Sequence, residues 1–269
     1  MQVRIPELDF SSVDPIWAPA NPAFGHKFDA ASLIFPYLEP YLIKVMRQAK
    51  ERLHELGINT PEIDNDISMF NQQEAQHYKL HTRYNDYLKT HYTGLEAFEA
   101  EAKADFEHML AEESLEYNLG YSAAFESIGP VQLPIWFGLA RDSRKGADKI
   151  VDELWGWHLS EEFEHRCVAF DIYQLLVGKW AYRVKMFAVQ SRHLESFVTR
   201  VAEHMIEQDD QAGRFDRDSA IKLMTGFERR LKRAVIPRII NMQMPWYNPG
   251  NYQAPIESTE LLNTYAEEP

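Results

Sequence analysis

Residues 158–167 read HLSEEFEHRC, a stretch that places three glutamates between two histidines. Side chains three or four positions apart share one face of an α-helix, so His158, Glu162 and His165 are expected on a common stripe. The stretch therefore presents a Glu-x-x-His pair to one side of a helix. The two remaining glutamates are expected to point elsewhere: Glu161 and Glu164.

A second Glu-x-x-His pair lies in residues 70–81, FNQQEAQHYKLH. Glu74 and His77 form this pair, and His81 follows one helical turn later. A single such pair is usually a charged, solvated helix face. Two pairs, each preceded by an isolated carboxylate, indicate a metal site instead.

The isolated carboxylates are Glu39, in LIFPYLEPYLIK (33–44), and Glu126, in YSAAFESIGP (121–130). Each interrupts an otherwise apolar pattern. Glu39 precedes Glu74 by 35 residues and Glu126 precedes Glu162 by 36 residues, so the site has the spacing of a duplicated helical hairpin. The rival donors lie in an acidic run that is expected to face solvent: Glu112, Glu113 and Glu116.

One Glu from each of two helices and a Glu-x-x-His from each of two others form the ligand set of ferritin-like di-iron and di-manganese proteins. Four carboxylates balance two divalent cations, whereas burying them without metal would be costly. Oxygen and imidazole ligands without thiolate suit iron or manganese better than structural zinc. The predicted cofactor is two iron ions, with manganese or a mixed pair as the alternative. The predicted ligands are Glu39, Glu74, His77, Glu126, Glu162 and His165.

The helical patterns predict an all-α protein, because alternating β-branched runs are missing. One helix is expected from about residue 28 to 56, beginning or bending at Pro36, and others at 62–91, 95–130, 146–176, 180–210 and 217–240. These predict a ferritin-like four-helix bundle at 25–178 and two additional helices at 179–243. Proline-rich arms are expected at 1–24 and 244–269.

The composition excludes several classes of protein. No apolar run is long enough to span a membrane, and residues 1–15 lack a basic region followed by an apolar stretch, so no signal peptide is expected. A formal net charge of −13 argues against nucleic acid or an anionic membrane as partner. The single cysteine, Cys167, favours a reducing compartment, so a cytoplasmic location is expected.

The chain resembles the bacterial family of predicted metal-dependent hydrolases, whose members share a ferritin-like helical core. The resemblance rests on FPYLEPYLI (35–43), QEAQHYKLH (73–81), AAFESI (123–128) and WHLSEEFEHRCVAFDIY (157–173). It implies the six ligands named above, and it places His81 and His158 at histidine-rich positions. The family's name implies hydrolysis, but no residue of this chain demands that chemistry.

Three functions are compatible with these residues. The first is an oxygen-dependent oxidase or oxygenase with a small organic substrate, dioxygen and an electron donor as partners. The second is a two-metal hydrolase, ranked lower because no arginine cluster accompanies the ligand stripes. The third is a metal-binding bundle without activity. His81 and His158 are predicted as catalytic acid–base groups, although extra ligation or a place in the core stays open for both. A homodimer is also expected.

Overall fold

The computed structural model describes residues 1–265, and this part of the chain is helical without any strand. The helices are α1 (Pro22–Leu56), α2 (Pro61–His91), α3 (Leu95–Glu112), α4 (Leu115–Glu126), α5 (Gly129–Trp136), α6 (Lys149–Glu164), α7 (Val168–Leu176), α8 (Trp180–Gln211), α9 (Arg217–Met242) and α10 (Ile256–Asn263). The all-α prediction is confirmed. None of these helices is both long and apolar enough to cross a membrane.

Helix α1 runs without interruption through Pro36 and Pro40, so the expected start at Pro36 is wrong. A proline inside a helix leaves the carbonyl four residues earlier without its N–H donor. For Pro36 this is the carbonyl of Ser32, which accepts instead from the side-chain amide of Asn85 on α2, across 2.9 Å. Helix α1 begins at Pro22, where Asn21 caps its first turn.

Two predicted long helices are broken in the structure. The helix expected at 95–130 is divided into α3 and α4, because the Ser114 hydroxyl accepts from the backbone N–H of Tyr117 and caps a new helix. The helix expected at 146–176 ends at Glu164, and α7 begins at Val168. Arg166 lies in this break and donates to the carbonyls of Phe163, Pro249 and Tyr252.

Two pairs of packed helices form the centre of the fold: α1 with α2, and α4 with α7. Helices α1 and α2 are joined by a turn of four residues and pack along most of their length, and α4 packs against α7 and α1. Helix α8 covers α4 and α1, α3 lies on α1, and α9 contacts α1, α5 and α8. The division into bundle and additional helices remains a prediction.

The N-terminal segment before α1 contains a short 3-10 helix and no α-helix, and it packs on the helices. Leu8, Phe10 and Trp17 are buried, and the Arg83 side chain donates to the Leu8 carbonyl across 2.7 Å. Near the other end of the chain, α10 packs on α6, within the segment expected to be an arm. Residues 266–269 of that predicted arm lie outside the described part.

A buried charged cluster attaches α8 to α1. His26 lies between two carboxylates: its Nδ1 is 3.1 Å from Asp29 Oδ2, and its Nε2 is 2.7 Å from Asp209 Oδ2. Arg214 pairs with the second oxygen of Asp209, and Tyr84 donates to Asp29. Because both ring nitrogens face carboxylate oxygens, both carry protons, and the pKa of His26 is raised to about 9 despite burial.

Candidate metal centre

All the predicted site residues are buried and lie at the centre of the fold. Glu39 lies in the middle of α1, and Glu74 and His77 lie in α2. Glu126 is the last residue of α4, Glu162 lies near the end of α6, and His165 follows the last residue of α6. The two Glu-x-x-His pairs therefore face each other, as their spacing predicted.

The side chains form two overlapping groups, in each of which four ligand atoms lie within 4.8 Å of one another. The first group contains Glu39, His77, His158 and Glu162, and the second contains Glu74, His77, Glu162 and His165. His77 Nδ1 is 3.5 Å from Glu162 Oε1, so these shared residues lie between the two groups. The arrangement is able to hold two metal ions.

Glu126 lies beside the second group without belonging to it. Its Oε2 is 3.0 Å from His165 Nδ1, while the other ring nitrogen of His165 is 3.0 Å from Glu74 Oε1. His165 thus has a carboxylate at each nitrogen. Both predicted hairpin carboxylates, Glu39 and Glu126, reach the cluster.

Many polar atoms of this cluster have no hydrogen-bond partner although they are buried. They are both carboxylate oxygens of Glu39, Glu74 and Glu126, Oε1 of Glu162, Nδ1 of His77, and both ring nitrogens of His165. Several pairs of these atoms approach within 3.0–3.9 Å, but not in hydrogen-bond geometry. Buried polar groups are normally satisfied, so this concentration requires an explanation. Lone pairs converging on a cation provide one.

The pKa values of the cluster residues reflect the excess of carboxylates among them. Burial, followed by repulsion from neighbouring glutamates, holds the pKa of Glu39 and Glu126 well above its ordinary range. Burial also opposes charge on His77, but the carboxylates of Glu161 and Glu162, which face its two ring nitrogens, outweigh burial and raise the pKa of His77 to about 9. Protons are thus retained where divalent cations would otherwise balance the carboxylates.

A pair of groups behind His77 fixes the orientation of its ring. His77 Nε2 is 3.1 Å from Glu161 Oε2, and Glu161 Oε1 accepts from the Arg4 guanidinium across 3.0 Å. A carboxylate paired with arginine accepts a hydrogen bond, so Nε2 carries the proton of the neutral ring. The lone pair of Nδ1 then points toward Glu74 and Glu162, as a metal ligand requires.

A longer chain of hydrogen bonds fixes His158. Asn85 donates to the Ser32 carbonyl, so its Oδ1 accepts from the Ser32 hydroxyl across 2.6 Å. The Ser32 oxygen, 2.8 Å from His81 Nδ1, therefore accepts from that nitrogen. His81 Nε2 is left to accept from His158 Nδ1, across 3.2 Å. His158 Nε2 consequently presents a lone pair to Glu162 Oε1, 3.5 Å away.

A cavity of about 440 Å³ reaches the cluster from one side. His158 and Glu162 lie in its wall, together with aromatic and aliphatic side chains that include Phe35, Phe125 and Trp155. A pocket of this size and composition is typical of a small-molecule site. The cluster is thus accessible to a ligand although each of its residues is buried.

Sequence reasoning missed four residues that support the cluster: Arg4, Ser32, Asn85 and Glu161. Glu161 was expected to point away from the site, but it is buried and contacts His77. Its position next to Glu162 was visible in the sequence, whereas its partner Arg4 is 157 residues away. The rival donors Glu112 and Glu113 are exposed, as expected.

The fold and the cluster define a class: helical proteins whose buried histidines and glutamates can hold a dinuclear metal site. The family of predicted metal-dependent hydrolases matches residues 2–253, nearly the whole chain. The chain belongs to this family. No curated protein and no solved structure matches the chain.

The family corrects the leading functional prediction. An oxygen-dependent oxidase or oxygenase was ranked first, and it is wrong, because the family is one of metal-dependent hydrolases and nothing supports oxygen chemistry. The alternative, a two-metal hydrolase, fits. The predicted ligands do not distinguish an oxidase from a hydrolase, since carboxylate–histidine sites serve both chemistries. Dioxygen and an electron donor lose their rationale as partners; a small-molecule substrate and a homodimer remain predictions.

Proposed function

We propose that this protein is a two-metal hydrolase whose metals are held by Glu39, Glu74, His77, Glu126, Glu162 and His165, with His158 as a seventh ligand. The observation that carries the proposal is the set of buried carboxylate and imidazole atoms without hydrogen-bond partners, beside a cavity. Four of the proposed ligands are glutamates, one on each of α1, α2, α4 and α6. This distribution would match a ferritin-like bundle, and we propose that the fold is of that type.

The two groups suggest how the ligands divide. Glu39 and His158 belong only to the first group, and Glu74 and His165 belong only to the second. His77 and Glu162 belong to both, so these two residues would lie closest to both ions. We place Glu126 beside His165 as a further ligand or partner.

The metal itself remains to be identified. Glutamate and histidine without cysteine suit iron, manganese and zinc alike. Bound at this cluster, two such ions would polarise a substrate oxygen and make a water molecule more acidic. The iron pair expected from the sequence is therefore one choice among three.

The residues around the cavity favour a carboxylic ester or amide over a phosphate as substrate. Among the described residues 1–265, and apart from those of the candidate metal centre, the charged residues that line the cavity are Lys27 and Glu195. Lys27 is already paired with Glu228 at 2.9 Å, so within this part of the chain the cavity offers no unpaired cation to a phosphate. A neutral acyl group requires no such partner.

Only His158 and Glu162 belong to both the metal cluster and the cavity wall. In the proposed hydrolysis, the oxygen of water bonds to the acyl carbon, the acyl–oxygen or acyl–nitrogen bond breaks, and a proton passes to the leaving group. As proposed metal ligands at the cavity wall, Glu162 and His158 would hold the ions beside the acyl group, and the proton of the attacking water would pass to the leaving group. His158 and His81, predicted as acid–base groups, would instead bind and orient through the hydrogen-bond chain to Ser32 and Asn85.

A panel of chromogenic substrates tests the proposed function. Metal-stripped protein reconstituted separately with Zn²⁺, Mn²⁺ or Fe²⁺ would be assayed with p-nitrophenyl acetate, p-nitroacetanilide and bis-p-nitrophenyl phosphate. We expect turnover of the ester or amide with at least one metal, and its loss in the Glu74→Ala/Glu162→Ala variant. Turnover of none of the three, or equal turnover in the variant and in chelated protein, would overturn the proposal.

A further inference from the structure

Two adjoining cavities lie beside the metal centre. The first, described above, runs from His158 and Glu162 between α1, α6 and α8. The second, of about 240 Å³, lies between α1, α5 and α9 and does not reach the metal centre. Phe28, Ile128 and Leu159 line both. We name the two cavities together the apolar cleft.

The lining of the apolar cleft becomes more apolar with distance from the metals. Lys27 is the one charged residue that lines the second cavity, and its ammonium group is paired with Glu228. The rest of that lining is aromatic or aliphatic except for Gln132. A polar ligand would find no partner here, whereas hydrocarbon would remove this lining from water.

Helix α9 covers the second cavity with side chains from its inner face. Met224, Phe227, Leu231 and Val235 line the cavity. They are spaced three or four residues apart and so form a single stripe. Most of the remaining surface of α9 is exposed. The stripe therefore lines the cavity on one side, while Met224 and Phe227 also pack into the core, Phe227 against the ring of Phe24.

We infer that the apolar cleft binds an unbranched aliphatic chain, and that the substrate is an ester or amide of a medium- or long-chain carboxylic acid. Its acyl carbon would lie at His158 and Glu162, and its chain would extend past Phe28 and Leu159 toward α9. This inference rests on the proposed hydrolase function for the acyl end, but the cleft itself is independent of the reaction.

Chain-length dependence of binding tests the inference. Straight-chain alkyl hydroxamates, from two to twelve carbons, would be titrated into zinc-loaded protein by calorimetry. Straight-chain alcohols, which lack a metal-binding group, would be titrated into metal-free protein by tryptophan fluorescence, because Trp136 and Trp155 line the cleft. Each buried methylene should strengthen binding about fourfold until the cleft is filled.

A matched pair of variants locates the binding. Leu194 on α8 lines the first cavity, whereas Ala188 on the same helix is exposed and lines neither cavity. Leu194→Lys should abolish the dependence on chain length, and Ala188→Lys should leave it unchanged. Ala31→Trp, which fills the cavity from α1, is a second variant should Leu194→Lys fail to fold.

The outcomes separate this inference from the proposed function. Chain-length dependence with alcohols, in a protein that hydrolyses none of the chromogenic substrates, would support the cleft and contradict the hydrolase. Affinity that is flat across both series, in a protein that hydrolyses p-nitrophenyl acetate, would overturn the cleft alone. An equal gain in affinity per methylene in Leu194→Lys, Ala31→Trp and the wild type would also overturn the inference about the cleft.

Discussion

His77 Nε2 lies 3.1 Å from Glu161 Oε2, and this contact turns the other nitrogen of the ring toward Glu74 and Glu162. Glu161 is itself held by Arg4, from the segment before α1. The candidate metal centre thus depends on a segment that supplies none of the proposed ligands. Partners behind a ligating histidine fix its tautomer and raise its basicity, so they contribute to metal affinity.

The first prediction concerns Glu161→Gln. The neutral amide keeps the shape of the side chain but removes the charge that holds the His77 proton, so metal affinity should fall about 10–100-fold. Competition with a chromogenic chelator measures this. Glu164→Gln is the matched control, because Glu164 also pairs with Arg4 but does not contact His77, and it should change affinity little. Equal losses in both variants would contradict this account.

Ser32→Ala removes one member of the hydrogen-bond chain that orients His158. His81 would lose the acceptor of its Nδ1 proton, so that proton could move to His81 Nε2. His158 Nδ1 would then no longer be the required donor between the two rings, and His158 Nε2 would no longer be fixed as the nitrogen with the lone pair. Binding of one of the two ions should weaken about tenfold, while the other binds as before. Calorimetric titration resolves the two steps. Ser122→Ala, a buried serine bonded only to a carbonyl of its own helix, should leave both steps unchanged.

Metal binding should release protons. In the metal-free protein the pKa of His77 is raised to about 9, and burial with carboxylate repulsion raises the pKa of Glu39 and Glu126. Protons therefore compete with metal at neutral pH, and affinity should rise between pH 6 and 9. Calorimetry in buffers of different ionisation enthalpy counts the released protons. An enthalpy that is independent of the buffer would refute this prediction.

His26 should make stability depend on pH far from the metal centre. Its pKa is raised to about 9 from an ordinary value near 6.5, so its stabilising effect is complete below pH 6.5 and is lost as the pH rises through 9. The free energy of unfolding should decline by about 3 kcal/mol over this range.

Urea denaturation of the metal-free protein at several pH values measures the effect, and His26→Gln should flatten the decline. Burial raises the pKa of Asp29, so this carboxyl also disfavours the folded state as the pH rises, and the comparison with His26→Gln separates the two contributions. A decline of equal size in wild type and His26→Gln would show that another group is responsible.

Helical spacing predicted which side chains meet at the metal centre, because residues three and four apart share a face whatever the surrounding fold. It could not predict the continuity of α1, since the partner of the carbonyl freed by Pro36 is Asn85, on another helix. Nor could it predict the burial of Glu161, which follows from Arg4 and His77. The interruption at His165 was missed because it depends on contacts of Arg166 with residues near the C-terminus.

The chemistry was harder to predict than the ligands. Oxygen activation and hydrolysis use the same carboxylates and imidazoles, and the missing arginine cluster argued only against phosphate substrates. The apolar cleft could not be read from the sequence either, because its lining comes from six helices, the first and last of which are about 200 residues apart in the chain.

The most direct test of the central claim is the metal content of reconstituted protein. Metal-stripped wild type and Glu74→Ala/Glu162→Ala would be dialysed against Zn²⁺, Mn²⁺ or Fe²⁺, freed of excess metal and analysed for elements. The account predicts about two ions per wild-type chain with at least one metal, and far fewer in the folded variant. A wild type that retains no more metal than the variant would contradict it.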